Sequence, residues 1–259
     1  MPVDDIISLN IWQFALIYLL LLIVLAVMKK CKINQAKLLL VASVRMTVQL
    51  VLAGLILTYI FENPHPVFTV LYILLMTGFA IYMVFQRNRG MGGRFRLIAG
   101  ASLAVSGVAI VAFFITVIVG VSIFHPRYTI PISGMIIGNA MTGTSLGIKT
   151  FRESIAAERP RIDALIHVGA MPRKILAPFV SRAIETALLP TLNSMLGMGI
   201  ISLPGMMTGQ ILSGTLPMTA ILYQIAILIS ISAVACISVF CSLYFGSRTL
   251  YNERGQMTI

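Results

Sequence analysis

The chain has 259 residues, of which 58% are hydrophobic and 10% are charged, and its formal net charge is +11. A soluble globular domain carries about 25% charged residues, so this composition excludes one. The basic residues lie in short clusters between long apolar runs. That pattern orients a membrane protein in the bilayer, and it argues against nucleic acid as the partner of the positive charge.

Seven apolar runs are long enough to cross a membrane, because a hydrocarbon core of about 30 Å needs roughly 20 helical residues. The runs lack the alternation of a transmembrane barrel. We therefore expect an all-α, polytopic helical bundle in the plasma or inner membrane, with its backbone polar groups satisfied inside each helix. The predicted spans are residues 11–28, 38–61, 67–85, 97–124, 130–148, 185–203 and 218–245.

The loops between these spans predict the orientation of the chain. Four lysines between Lys29 and Lys37 follow the first span, and such clusters face the cytoplasm. With the N-terminus outside and the C-terminus cytoplasmic, 17 of the 19 Lys and Arg residues fall on the cytoplasmic side. The sequence thus predicts one transmembrane domain over residues 1–259, with a cytoplasmic segment at 149–184 and an outer loop at 203–217.

The internal segment at residues 149–185 holds seven basic and four acidic residues, out of 27 charged residues in the chain. Pro160 favours the first turn of a helix, Gly169 favours its end, and Pro172 favours the start of the next helix. Apolar residues follow at the spacing of one helix face, at Ile162, Leu165, Ile166 and Gly169, and then at Ile175, Leu176 and Phe179. The pattern predicts a short amphipathic helix, a turn, and a second helix that leads into the sixth span.

Two interpretations of this short helix stay open on physical grounds. It is either a docking element for a partner in the cytoplasm or an interfacial helix on the lipid headgroups. In the second case, anionic lipid would attract its basic side chains, which are Arg159, Arg161, Arg173 and Lys174.

A family resemblance bears on this choice. Asp163-Ala164-Leu165, followed by Gly169, is similar to the Glu-Ala-Ala-x-x-x-Gly loop of ABC transporter permeases, with Asp for Glu and Leu for the second Ala. Three further segments are more specific: GMIIGNAMTGTSLGIKTFRE from Gly134, LLPTLNSMLGMGIISLPGMMTGQILSGTLP from Leu188, and YNERGQM at the C-terminus. Together they resemble the FetB-type iron-export permease family of ABC transporters, whose plant relatives are linked to aluminium tolerance.

The resemblance implies a transport subunit without enzymatic activity of its own, which exports a metal ion such as iron. A separate ABC ATPase subunit would bind ATP and Mg, this chain would hold no cofactor, and two copies would form the pathway. The residues implied in coupling to the ATPase are Arg161, Asp163, Ala164, Leu165, Gly169 and Ala170. In this chain Gly143, Gly147 and Lys149 lack the spacing of a phosphate-binding loop, which agrees with a separate ATPase.

Two alternatives remain. An ion-coupled secondary carrier would need acidic residues inside the membrane, where only Glu185 qualifies, at the edge of a span. A non-transporting scaffold would not need the costly polar residues Arg45, Gln49 and Asn193 within spans. We therefore treat Arg45, Gln49, Glu185 and Asn193 as candidate pathway residues, and an Arg45–Glu185 ion pair as a hypothesis.

The fifth predicted span is unusually small and polar. Gly134 and Gly138, like Gly143 and Gly147, are spaced four apart, which lets helices approach closely. Asn139 and Thr142 lie one turn apart on one face and are further candidates for the pathway.

Methionines cluster at the outer end of the sixth span. They are Met195, Met198, Met206 and Met207, with Gln210 nearby, and Met206, Met207 and Gln210 join the candidate pathway. Thioethers bind soft metals, but methionine is also a flexible apolar filler, and the sequence favours the filler. The three histidines lie in loops on opposite predicted faces, so no metal-binding residues are assigned. The three cysteines lack metal-ligand spacing and are expected to be free thiols.

Overall fold

The computed structural model describes residues 10–251, and in this range the regular secondary structure is helical, with an isolated bridge between Met198 and Ser202. The α-helices are α1 Ile11–Lys30, α2 Ala36–Glu62, α3 Pro66–Arg87, α4 Gly93–Phe113, α5 Pro126–Ala157, α6 Arg159–His167, α7 Pro172–Gly197, α8 Gly205–Leu212 and α9 Pro217–Ser247. A π-helical turn, Phe114–Val119, extends α4, and a 3₁₀ turn, Arg248–Leu250, follows α9.

Six helices in this part of the chain are long and apolar enough to cross a membrane. They are α1, α2, α3, α7, α4 with its π-helical turn, and α9 with its 3₁₀ turn. This confirms the polytopic all-α bundle. The predicted fifth span lies in α5, which has 32 residues. Its many glycines and hydroxyl-bearing residues lower its mean hydropathy, so α5 is not among the six helices. The count of seven spans and the sides assigned to the two termini therefore remain predictions.

The chain divides into two compact units. Among the described residues, the first covers 10–63 with 212–214, and the second covers 64–211 with 215–251. In the first unit α1 pairs with α2, and the hydroxyl groups of Tyr18 and Thr47 lie 2.5 Å apart in a hydrogen bond between them. The single transmembrane domain stays a prediction.

Helix α5 is the centre of the second unit. It packs against α3, α4, α7 and α9, and its buried face carries Ile136, Ile148 and Phe151. α4 also packs along α9, where the hydroxyl groups of Ser106 and Ser238 form a buried hydrogen bond. The core is therefore built on α5, with α7 and α9 on adjoining sides.

Two glycines of α5 lie where these helices meet. A Cβ atom at Gly147 would lie 2.7 Å from Val239 Cγ1 of α9 and 3.4 Å from the carbonyl oxygen of Ala183 in α7. One at Gly143 would lie 3.4 Å from Cβ of Ala235. These two glycines therefore permit close approach of α7 and α9 to α5.

The other two glycines of the predicted packing pattern differ. A Cβ atom at Gly134 would meet the flexible end of Met76, at 2.8 Å, and one at Gly138 would have no heavy atom within 4 Å. Of the four glycines, only Gly143 and Gly147 therefore lie where α5 contacts α7 and α9.

Two element boundaries differ from the sequence-based expectation. The helix expected to begin at Pro172 and the sixth span form one continuous helix, α7, which ends at Gly197 rather than near Leu203. The loop expected at 203–217 contains α8. Thr208 closes its first turn, since both its backbone nitrogen and its hydroxyl donate to the carbonyl oxygen of Pro204.

Candidate functional site

The short helix predicted within the charged segment is α6. It follows α5 at Glu158, carries Pro160 in its first turn, and ends at His167. Gly169 has a φ of +86°, a left-handed conformation that glycine adopts without strain. Pro172 then begins α7. The predicted sequence of helix, turn and helix is confirmed.

The apolar side of α6 is packed against the start of α7. Ile162 is 1% exposed, and Ile175, Leu176 and Phe179 are buried as expected. A cavity of about 180 Å³ lies between the two helices. Its lining comprises Glu158, Arg161, Ile162, Leu165, Lys174, Ile175, Pro178, Phe179 and Arg182.

The cavity lining is positively charged, with three basic side chains and one carboxylate. The carboxylate of Glu158 accepts a hydrogen bond from Nη1 of Arg161 at 2.9 Å and lies 3.6 Å from Nη1 of Arg182. Lys174 adds a further cation. A second ion pair, between Arg159 and Asp163 at 3.5 Å, lies along α6. The excess of positive charge favours an acidic group of a binding partner.

The edge of this cavity and the turn that follows α6 carry exposed apolar side chains. Leu165 is 39% exposed, Val168 is 87% exposed and Met171 is 66% exposed. Among the predicted coupling residues, Arg161, Ala164 and Gly169 are also exposed, and Asp163 and Ala170 are half-buried. We call this group the α6 surface, meaning Arg161, Asp163, Ala164, Leu165, Val168, Gly169, Ala170 and Met171.

A contact that sequence reasoning missed joins the start of α7 to the end of α9. Nη2 of Arg173 donates to the Tyr244 hydroxyl at 2.8 Å, and Nη2 of Arg248 donates to the same oxygen at 3.1 Å. The two guanidinium carbons lie 5.3 Å and 4.9 Å from the centre of the tyrosine ring. Phe240 stacks on this ring. Arg173 and Tyr244 are 71 positions apart, so no local pattern reveals the pair.

Replacing Tyr244 with phenylalanine should remove both hydrogen bonds and keep the ring. Hydrogen bonds to charged groups contribute about 1.5–3 kcal/mol, and exposed charged pairs contribute less. Because both arginines are exposed, we expect a loss of about 1 kcal/mol, or roughly 2–4 °C in the apparent Tm of the purified protein. Tyr82→Phe, on an exposed face of α3, is the matched control and should leave the Tm unchanged. Equal Tm values for the two variants would contradict the contact.

The candidate pathway residues of the second unit lie mostly on exposed surface. This holds for Asn139, Thr142, Glu185 and Asn193, whereas Met207 is buried and Met206 and Gln210 are half-buried. Nδ2 of Asn139 donates to the Met135 carbonyl oxygen at 2.8 Å, and the Thr142 hydroxyl donates to Gly138 at 3.1 Å. Arg45 and Gln49 belong to α2 in the first unit, so the Arg45–Glu185 pair remains a hypothesis.

The methionine cluster is split by the structure. Met195, Met198 and Met207 line one cavity of about 410 Å³, whereas Met206 and Gln210 of α8 are half-buried outside its lining. Between residues 10 and 251, no group of three or more His, Cys, Asp or Glu side chains is placed to hold a metal ion. Cys31, Cys236 and Cys241 are free thiols, as expected.

Comparison with known proteins gives a consistent result. The model of the "Uncharacterised protein family (UPF0014)" matches residues 11–251. The chain is 34% identical to "UPF0014 membrane protein YjkA" of Bacillus subtilis over 226 residues, which is 87% of this chain and 89% of that protein. No solved structure matches the chain.

Two further relatives have more specific names. "Protein ALUMINUM SENSITIVE 3" of Arabidopsis thaliana is 35% identical over 213 residues, 82% of this chain and 77% of the relative. "Probable iron export permease protein FetB" of Escherichia coli is 31% identical over 252 residues, 96% of each chain.

Proposed function

Because the chain belongs to the UPF0014 family of membrane proteins, we propose that it is the permease subunit of an ABC transporter, driven by a separate ATPase subunit. The observation that carries this proposal is the α6 surface. It comprises a short helix anchored by the buried Ile162, with an exposed apolar side chain at the cavity edge and two more in the following turn. An exposed apolar tip on a charged segment favours docking to a protein over binding to lipid headgroups alone.

The α6 surface also indicates what its partner offers. Leu165, Val168 and Met171 need an apolar groove. The cavity beside them, with Arg161, Lys174 and Arg182 against one glutamate, favours an acidic rim on the partner. We assign this groove to the ATPase subunit, which binds the ATP and Mg.

Motion of the ATPase would reach the membrane helices through α7. α6 packs on α7, and α7 packs on α5 and α9. The contact of Tyr244 with Arg173 and Arg248 ties the base of α7 to the end of α9. The close approach at Gly143 and Gly147 brings α5 into contact with both α7 and α9. Closely packed helices move together rather than deform singly.

The exposed face of α5 supports a pathway formed by two copies of the chain. Asn139 and Thr142 are exposed there, although polar side chains in a membrane helix usually face protein or a water-filled cavity. Their hydrogen bonds to their own helix leave the carboxamide and hydroxyl free to accept further bonds. In our proposal, a second copy covers this face and the polar groups line the pathway between them.

The proposed cargo is a metal ion, exported from the cytoplasm. Support for iron comes from the name of the Escherichia coli relative. Iron favours oxygen and imidazole ligands, and few carboxylates lie in the spanning helices. A pathway with several low-affinity sites suits a chain with so few carboxylates in its spanning helices, because transport requires that an ion both enters and leaves each site.

The test is reconstitution with a candidate ABC ATPase subunit from the same genome. We expect the two chains to copurify, and inside-out vesicles to accumulate radioactive Fe²⁺ only when ATP is present. A protonophore should have no effect on this uptake. If uptake proceeds without the ATPase and a protonophore abolishes it, the chain is an ion-coupled carrier and the proposal fails.

A further inference from the structure

The cavity that holds three methionines lies at the junction of α7, α8 and α9, in the second unit. Its lining comprises Met195, Met198, Gly199, Leu203, Met207, Ile221, Gln224, Ile225, Leu228 and Ile229. Most of these side chains are aliphatic. The polar or polarisable atoms that they offer are three thioether sulfurs and one carboxamide.

The carboxamide of Gln224 is nearly buried and incompletely paired. The residue is 8% exposed, and its Oε1 atom accepts no hydrogen bond from any residue between 10 and 251. A buried carbonyl group without a partner costs about 1–3 kcal/mol, a cost that a ligand held beside Gln224 would offset. Ser232 Oγ of α9 lies 3.6 Å from Met195 Sδ, which places that sulfur against α9, the helix that carries Gln224.

The donor set selects a class of ligand. Thioether sulfur is a soft ligand that favours Cu(I), whereas iron, Mg²⁺ and Ca²⁺ favour oxygen or imidazole. All four donors are neutral, and the cavity lining has no carboxylate, so a singly charged ion is favoured over a divalent one. We propose that Met195, Met198, Met207 and Gln224 form a binding site for a soft monovalent cation, Cu(I) or Ag⁺.

This site is independent of the proposed ATPase. Its occupancy is a property of the isolated permease chain and needs neither ATP nor a partner. Loss of the site would therefore leave the permease proposal standing, and failure of the permease proposal would leave the site standing. The competing occupant is an apolar molecule, for which methionine and leucine are nearly equivalent wall residues.

The experiment uses Ag⁺ as the probe, because it does not change oxidation state under the assay conditions. The three free cysteines also bind Ag⁺, so the full-length background protein carries Cys31→Ala, Cys236→Ala and Cys241→Ala. Titration of this protein in detergent, by calorimetry in chloride-free buffer, should show one Ag⁺ per chain. Ten equivalents of Fe²⁺ under anaerobic conditions should not displace it.

Three variants of this background protein assign the ligands. Met195→Leu, Met198→Leu and Met207→Leu together keep the volume of the cavity wall. This triple variant should bind Ag⁺ about 100-fold more weakly or worse, because the loss of each ligand lowers the affinity by somewhat less than about tenfold. Gln224→Leu should weaken it by about 10-fold. The matched control is Met46→Leu with Met218→Leu, two exposed methionines, which should bind Ag⁺ unchanged.

Two results would overturn the site. One is the absence of Ag⁺ binding to the cysteine-free background protein that elutes as a folded species. The other is retention of full Ag⁺ affinity in the triple leucine variant, which would leave the cavity as a site for an apolar molecule. Size-exclusion profiles and helical circular dichroism of every variant must match those of the background protein, and Gln224→Leu gives a second reading if the triple variant does not fold.

Discussion

Replacing Leu165 with glutamate abolishes capture of the ATPase subunit while the permease still folds and inserts. Leu165 is 39% exposed beside the basic cavity, so the isolated chain tolerates a charge there. In the complex, the same charge would be buried in an apolar groove. Loss of a central apolar contact costs about 2–4 kcal/mol of binding free energy, which is roughly 30- to 900-fold in affinity.

The measurement is copurification of the ATPase with tagged permease, followed by the dissociation constant of the complex in detergent. Ala157→Glu is the matched control, because it adds the same charge at an exposed position one residue before the N-cap of α6. We expect this control to retain the ATPase. An L165E permease that binds the ATPase as tightly as the A157E permease would show that the α6 surface is not the docking element.

Replacing Gly147 with valine destabilises the second unit by about 3 kcal/mol. The first added carbon would lie 2.7 Å from Val239 Cγ1, and 3.4 Å from both the Ala183 carbonyl oxygen and the Ala187 Cβ. The neighbours belong to two packed helices, so they cannot move away separately. Overpacking of a filled core costs about 1–3 kcal/mol, and the branched side chain of valine places it at the upper end.

The expected result is a fall of roughly 6–12 °C in apparent Tm, measured by size-exclusion chromatography after heating in detergent. Gly78→Val is the matched control, since Gly78 is also helical but has no heavy atom within 4 Å of an added Cβ. Its Tm should change by less than about 2–4 °C, the shift that corresponds to about 1 kcal/mol. Valine is a slightly better helix former than glycine, so no large loss is expected. A G147V protein as stable as the G78V protein would refute the close packing of α5 with α7 and α9.

Local backbone chemistry explains which features of the candidate site were predictable. Pro160, Gly169 and Pro172 act on their own φ angles and on the adjacent turn, so the helix, turn and helix could be placed from sequence alone. The link between Arg173 and Tyr244 could not, because the two residues are brought together only by the packing of α7 along α9. Exposed arginines and tyrosines at helix ends are too common to identify a pair.

The methionine cluster shows the same limit. Met206 and Met207 are adjacent in sequence, yet only Met207 lines the cavity with Met195 and Met198. Successive residues of a helix point about 100° apart. The unexpected helix α8 therefore sends the two side chains to different surroundings. A sequence that predicts a loop at 203–217 gives no basis for that distinction.

The sequence by itself determined that this is a multi-pass helical membrane protein with a short amphipathic helix inside its charged segment. Hydropathy and backbone preference belong to each residue and its near neighbours, so they can be read in order along the chain. The tertiary structure alone decided which face of α5 is packed and which is open. Gly143 and Gly147 lie against α7 and α9, while Asn139 and Thr142 are exposed, because burial is set by the neighbouring helices and not by the spacing within one helix.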